Sequence, residues 1–149
     1  MPDVHLDLEI QADLDRAWAA VEDVESYPAV MSSVRRTTVL ASRPPTWRHT
    51  AWSIVLKGSI LEWEEHEHID RAARVISFDQ VTGDMDVFRG AWALSEAAPG
   101  LTRVRLDITF EIGIPLLADM LNPVAQRSLR DNCRDMLLGV QRAALAARG

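Results

Sequence analysis

Cysteine is nearly absent from this 149-residue chain. The single thiol, Cys133, excludes an internal disulfide and fits a reducing compartment. No apolar run approaches the roughly 20 residues needed to span a bilayer. The opening Met1-Pro2-Asp3 lacks a basic region followed by an apolar one. The reading therefore expects no signal peptide, no membrane insertion and a cytoplasmic location. Lysine is scarce too: one of the 16 basic residues is Lys57 and the rest are arginine. Acidic residues outnumber basic ones, 22 to 16, for a net charge of −6. Nucleic acid is therefore a poor partner, because such binding relies on phosphate neutralisation by a basic surface. There is no glycine-rich phosphate loop, no G-x-S-x-G and no CxxC, so no cofactor is expected.

What is present is ordinary globular composition, 48% hydrophobic and 26% charged. Nothing marks a linker, a repeat or a low-complexity segment, and the reading is one domain over residues 1–149. Residues 3–10 alternate, with Val4, Leu6, Leu8 and Ile10 on one face, which predicts a half-buried strand. Asp13 can cap a helix carrying Ala17, Trp18 and Val21. Pro28 interrupts that pattern and predicts a second short helix near residues 24–31. Strand patterns follow at 37–42, 46–56, 59–69, 74–81, 85–95 and 102–112, with Lys57-Gly58 as a hairpin turn. Asn122-Pro123 then has the form of a helix start. Ala125, Leu129, Asn132 or Cys133, Met136, Val140 and Ala143 recur at three- and four-residue steps, predicting one long helix over 123–146. This order implies an α+β fold: a highly curved antiparallel sheet wrapped around a long C-terminal helix, with two short helices after the first strand. Between sheet and helix such an arrangement leaves a hollow, a common kind of ligand site.

The stretch ILEWEEHEHI, residues 60–69, splits into two faces. Leu61, Trp63, Glu65, Glu67 and Ile69 form one; Ile60, Glu62, Glu64, His66 and His68 form the other. Burying a large apolar side chain contributes about 1.5–3 kcal/mol, so the Leu-Trp-Ile face turns inward. Glu65 and Glu67 then point into the hollow, about 6.5–7 Å apart along the strand. His66 and His68 point outward. An H-x-H pair supplies two metal ligands where three or four are wanted, so no metal is expected. Two buried carboxylates cannot both ionise cheaply, and one pKa should rise. Such a pair offers a neutral acid and an anionic base, which an aldol ring closure requires. In the competing reading the two glutamates line a wide, wet mouth, paired with an arginine such as Arg48 or Arg89.

The stretches WAAVEDVESYPAVMSSV (18–34), ILEWEEH (60–66), GDMDVFRGAW (83–92) and SLRDNCRDML (128–137) resemble the START-like helix-grip, or SRPBCC, superfamily. The likeness is greatest to the single-domain aromatase/cyclases of aromatic polyketide pathways. It implies a helix-grip fold and a cofactor-free cyclase or dehydratase that guides aldol closure of a poly-β-ketone. It also implies delivery of the substrate by an acyl carrier protein. Tyr27-Pro28 falls at the pocket rim of those enzymes. Trp63 and Trp92 align with pocket tryptophans or their neighbours, and Asn132 with a cavity-facing asparagine. The family's pocket arginine, tyrosine and glutamine fall at Glu67, Val34 and Ile108. Glu65, Glu67 and Tyr27 are thus the candidate catalytic residues. Trp63, Phe88, Trp92, Asn132, Met136, Ile108 and Met31 are the candidate substrate contacts. The resemblance leaves two further roles open: a non-catalytic carrier of a quinone, lipid or polyketide, and an assembly partner in a biosynthetic complex. Either a monomer or a homodimer is compatible.

Overall fold

In a computed structural model, residues 3–56, 59–112 and 115–146 are described. The elements run β1 (Asp3–Ile10), α1 (Leu14–Glu22), a single 3-10 turn at Val24–Ser26, α2 (Tyr27–Val30), β2 (Val34–Arg43), β3 (Trp47–Leu56), β4 (Ser59–Asp70), β5 (Val75–Gly83), β6 (Met85–Ala98), β7 (Leu101–Ile112) and α3 (Pro115–Ala146). The strands form one antiparallel sheet in the order β1-β7-β6-β5-β4-β3-β2. Every connection from β2 to β7 joins neighbours. Only the α1–α2 segment carries the chain from one edge strand to the other.

Local chemistry sets the start of α1 and the β4–β5 turn. The Asp13 carboxylate accepts from the Arg16 amide at 2.9 Å, satisfying a free donor at the head of α1. Arg74 closes the β4–β5 hairpin with φ of 59°, left-handed backbone that L residues adopt at a cost. Its side chain compensates by reaching Asp15 at 2.6 Å and lying 5.7 Å from the Trp18 ring centre, so the hairpin is fastened to α1.

The predicted pattern of strands and short helices matches the structure to within a few residues. The Lys57-Gly58 turn lies outside the described residues. The long helix differs at its N-terminal end. It begins at Pro115, with Pro123 inside it, rather than at an Asn122 cap. Proline at a first helical position needs no amide partner, and Pro115 meets that condition as well as Pro123 does. The buried stripe of α3 is Leu129, Cys133, Met136, Leu137, Val140 and Ala144. Ala144, not Ala143, closes it, because the 3.6-residue period drifts away from a strict three-four pattern.

The core lies between the inner face of the sheet and the three helices. Gly90 on β6 has a packing role. A Cβ built there would meet the Asp107 carbonyl oxygen at 1.9 Å and Phe78 Cζ at 2.9 Å. The strands approach that closely where the sheet curls, and only glycine allows it. Gly90→Ala should therefore cost about 1–3 kcal/mol through overpacking. A urea denaturation midpoint unchanged from wild type would show that the curl relaxes freely at this point.

Candidate functional site

Strand alternation turns Trp63, Glu65, Glu67 and Ile69 of β4 to the interior, all buried, and leaves His66 and His68 exposed. The two glutamates are each only 2% exposed, so they are not on a wet rim. Neighbouring β3 faces them in register, pairing Thr50 with Glu65, Arg48 with Glu67 and Trp52 with Trp63.

Glu67 is the charged partner of a buried ion pair. Arg48 Nε donates to Glu67 Oε1, and Thr50 Oγ1 donates to Oε2 at 3.0 Å. Trp52 Nε1 in turn donates to Thr50 Oγ1 at 2.8 Å. Arg48 Nη1 reaches the Glu22 carbonyl oxygen, 2.6 Å away at the C-terminal end of α1. Glu65 has no cation of its own. Its Oε1 accepts from Trp63 Nε1 at 2.7 Å, and its carboxyl is hydrogen-bonded to that of Glu67. Burial, first, and then the hydrogen bond and charge of Glu67 push the Glu65 carboxyl well above the usual range. The Trp63 bond and the Arg48 charge oppose this more weakly. One carboxyl of the pair is thus matched by a guanidinium, and the other is shifted toward its neutral form.

Glu65 opens onto a hollow beneath α3. Its sheet wall is Trp52 and Ile54 of β3, Trp63 of β4, Phe78 of β5, Phe88 and Trp92 of β6, and Leu106 and Ile108 of β7. Leu129, Asn132 and Met136 of α3 close it from above. The aromatic wall is continuous. The Trp52 and Trp63 rings are parallel with centres 5.8 Å apart, and Trp63 lies 4.8 Å from Phe88. Both indoles are fixed by their N–H bonds, one to Thr50 and one to the acid itself. The free space is about 30 Å³. That is room for a water molecule or two. Asn132 Nδ2 is buried without a partner, an available donor on the wall of the same hollow as Glu65.

Seven of the candidate residues meet at the hollow: Glu65, Trp63, Phe88, Trp92, Asn132, Met136 and Ile108. Three do not. Glu67 lies behind Glu65, engaged by Arg48 and Thr50. The Tyr27 hydroxyl donates to the Val21 carbonyl oxygen, and its ring packs edge-on against Trp52 and Trp92. A phenol so engaged is not free for a ligand; burial and nearby Glu67 also raise its pKa well above the ordinary value. Met31 is buried against α3, with its Cγ filling the notch left by Gly139. Sequence reasoning did not identify Trp52 as wall or Thr50 as a partner of Glu67. Period-two alternation through Arg48, Thr50, Trp52 and Ile54 on β3 is the signal that would have found both. Cys133 is buried, which pushes its thiol up to about 12, so it is no nucleophile at neutral pH. Among the described residues, no group of three or more His, Cys, Asp or Glu side chains is placed to hold a metal ion, and no helix is long and apolar enough to cross a membrane.

This combination, a bent antiparallel sheet gripping one long helix over an apolar hollow with a buried acid, defines the START-like class of helix-grip proteins. Residues 10–137 match the model of the family described as polyketide cyclase / dehydrase and lipid transport, and the chain belongs to that family. It is similar in structure to TTHA0849 of Thermus thermophilus, with 27% identity, a TM-score of 0.92 and coverage of 99% of this chain and 100% of that one. It is also similar to the Zhui aromatase/cyclase of Streptomyces sp. R1128, with 19% identity, a TM-score of 0.84 and coverage of 99% and 96%. A START superfamily protein of Mycobacterium smegmatis has 17% identity, a TM-score of 0.78 and coverage of 94% and 97%. Comparison with curated protein sequences gave no match.

The raised Glu65 pKa sets a sign for stability against pH. The folded chain holds a proton there that the unfolded chain has released above its ordinary carboxyl pKa. Stability is therefore fully present below that ordinary value and falls as pH rises toward the folded one, by up to about 1.4 kcal/mol per pH unit. Urea unfolding between pH 5 and 8 should show that decline in the wild type and a shallower one in Glu65→Gln. Equal slopes would mean that Glu65 is ionised in the fold. Arg48→Met, which strips Glu67 of its cation, should cost about 3–5 kcal/mol at pH 7.

Proposed function

We propose that the chain is a cofactor-independent cyclase or dehydratase of the polyketide type, with Glu65 moving the proton. The observation that carries this is a buried carboxyl, Glu65, on the wall of a mostly apolar hollow, where burial and the neighbouring Glu67 favour its protonated form. Family membership supports the reaction class, and the likeness to an aromatase/cyclase structure supports the architecture.

The chemistry needs only one such group. In ring closure, the enol of a 1,3-diketone attacks a second carbonyl. The new C–C bond forms, the accepting oxygen takes the proton of Glu65, and the enol hydroxyl returns one to it. In dehydration, Glu65 protonates the departing hydroxyl and its carboxylate then removes the proton on the adjacent carbon. A C=C bond forms, water leaves, and Glu65 ends protonated as it began. Asn132 Nδ2 would hold a carbonyl oxygen in either case. Trp52, Trp63, Phe88 and Trp92 would lay a flat chain against the acid and exclude water. A substrate requires the space beneath α3 to widen, since its free volume holds only water. Delivery by an acyl carrier protein and cytoplasmic location belong to this proposal.

A second reading, carriage of an apolar ligand without turnover, is favoured by one observation. Glu67 is committed to Arg48, so among the described wall residues the hollow has one ionisable group. Reconstitution with a minimal polyketide synthase separates the two. The wild type should redirect the product profile, and Glu65→Gln should lower that effect by about 10²–10⁴-fold while leaving the fold intact. An identical profile with wild type, Glu65→Gln or no added protein would reject the enzyme reading for this substrate class. A ligand retained in native mass spectrometry of host-purified protein would then support carriage.

A further inference from the structure

A second cleft lies on the far side of the ion pair, away from the hollow. Its wall is formed by Glu22 of α1, Val39 and Ser42 of β2, Pro44 and Pro45 of the β2–β3 turn, Trp47 and Arg48 of β3, Ile69 of β4 and Arg71 of the β4–β5 hairpin. At about 200 Å³ it is several times larger than the hollow. Apolar groups and prolines make up most of it, and arginines supply its donors. We propose that this cleft is a separate binding site, for a small molecule carrying one carboxylate on an apolar or aromatic body.

Arg48 carries an unfilled donor. Arg48 is 8% exposed, and two of its nitrogens are taken, Nε by Glu67 and Nη1 by the Glu22 carbonyl. The third, Nη2, is buried without any partner. A guanidinium nitrogen buried in this way is a standing demand for an acceptor, since buried polar groups are normally paired.

Arg71 supplies a second donor. Arg71 donates through Nε and Nη2 to the Glu22 carboxylate, leaving Nη1 available. Each guanidinium lining the cleft thus keeps one nitrogen that Glu22 and Glu67 leave unfilled, a pair of donors for one carboxylate. Planar guanidinium groups match a carboxylate in a two-pronged fashion. Trp47, Pro44, Pro45, Val39 and Ile69 then offer surface to the apolar body, which inorganic phosphate lacks. Arg48 lines the cleft and not the hollow, so the site stands on its own donors and walls whatever the chemistry of Glu65.

Titration of 15N-labelled protein with benzoate, benzyl alcohol and inorganic phosphate tests this. Benzoate should shift the Trp47 indole cross-peak, assigned with Trp47→Phe, and the backbone amides of Arg48 and Arg71 saturably. Arg71→Gln, at a side chain half exposed to solvent, should fold normally and weaken benzoate at least fivefold. Benzyl alcohol should produce at most a tenth of the benzoate response at equal concentration, and phosphate should not displace benzoate. Equal responses to benzoate and benzyl alcohol would overturn the proposal. So would displacement by phosphate, unchanged affinity in Arg71→Gln, or the absence of any saturable shift.

Discussion

The arrangement depends on two buried glutamates sharing one guanidinium. A carboxylate removed from water without a partner costs far more than a single contact returns. Arg48 resolves that cost for Glu67 and, by engaging Glu67, leaves Glu65 without a cation, its carboxyl pushed toward the neutral form. The same guanidinium also reaches the C-terminal end of α1. It therefore links the sheet to the helices as well as settling the charge. A buried ion pair of this kind adds little net stability over well-packed apolar residues. Its value lies in specification: only one register of β3 on β4 brings the four groups Arg48, Thr50, Glu65 and Glu67 together.

The aromatic wall follows from the same register. Trp52 and Trp63 are cross-strand partners, and each indole N–H bonds to a member of the polar group two residues away on its own strand. The rings cannot rotate without leaving a buried donor unpaired. The acid is thus presented at a fixed place against rigid, flat surfaces. Met136 and Leu129 on α3, with softer side chains, close the other side. Of the two walls, the helix is the one built to yield to a ligand.

Much of this was legible in the sequence because period-two patterns report a face directly. Trp63 and Ile69 flank Glu65 and Glu67 on one parity, and the histidines fall on the other. No long-range information is needed to see it. Likewise, Asp13 before an apolar helical pattern and Phe88 alternating with Trp92 are local signals. What was not legible depends on partners distant in the chain. Glu67 could be read as buried but not as separated from the hollow, because the alternation says nothing about which cation stands beside it. Tyr27 read as a rim residue since its hydroxyl's acceptor, the Val21 carbonyl, is a backbone atom without sequence identity. Pro123 read as a helix start because a proline inside a helix is rare enough that local rules favour the boundary.

The central claim is a neutral carboxyl at Glu65 beside a charged one at Glu67. Infrared spectroscopy with 13C-labelled glutamate side chains observes this without unfolding the protein or supplying a substrate. At pH 7 the spectrum of the wild type should contain a protonated-carboxyl C=O band, shielded from rapid hydrogen–deuterium exchange, that disappears in Glu65→Gln and persists in variants of exposed glutamates. A wild-type spectrum with every glutamate in the carboxylate form at that pH would contradict the account.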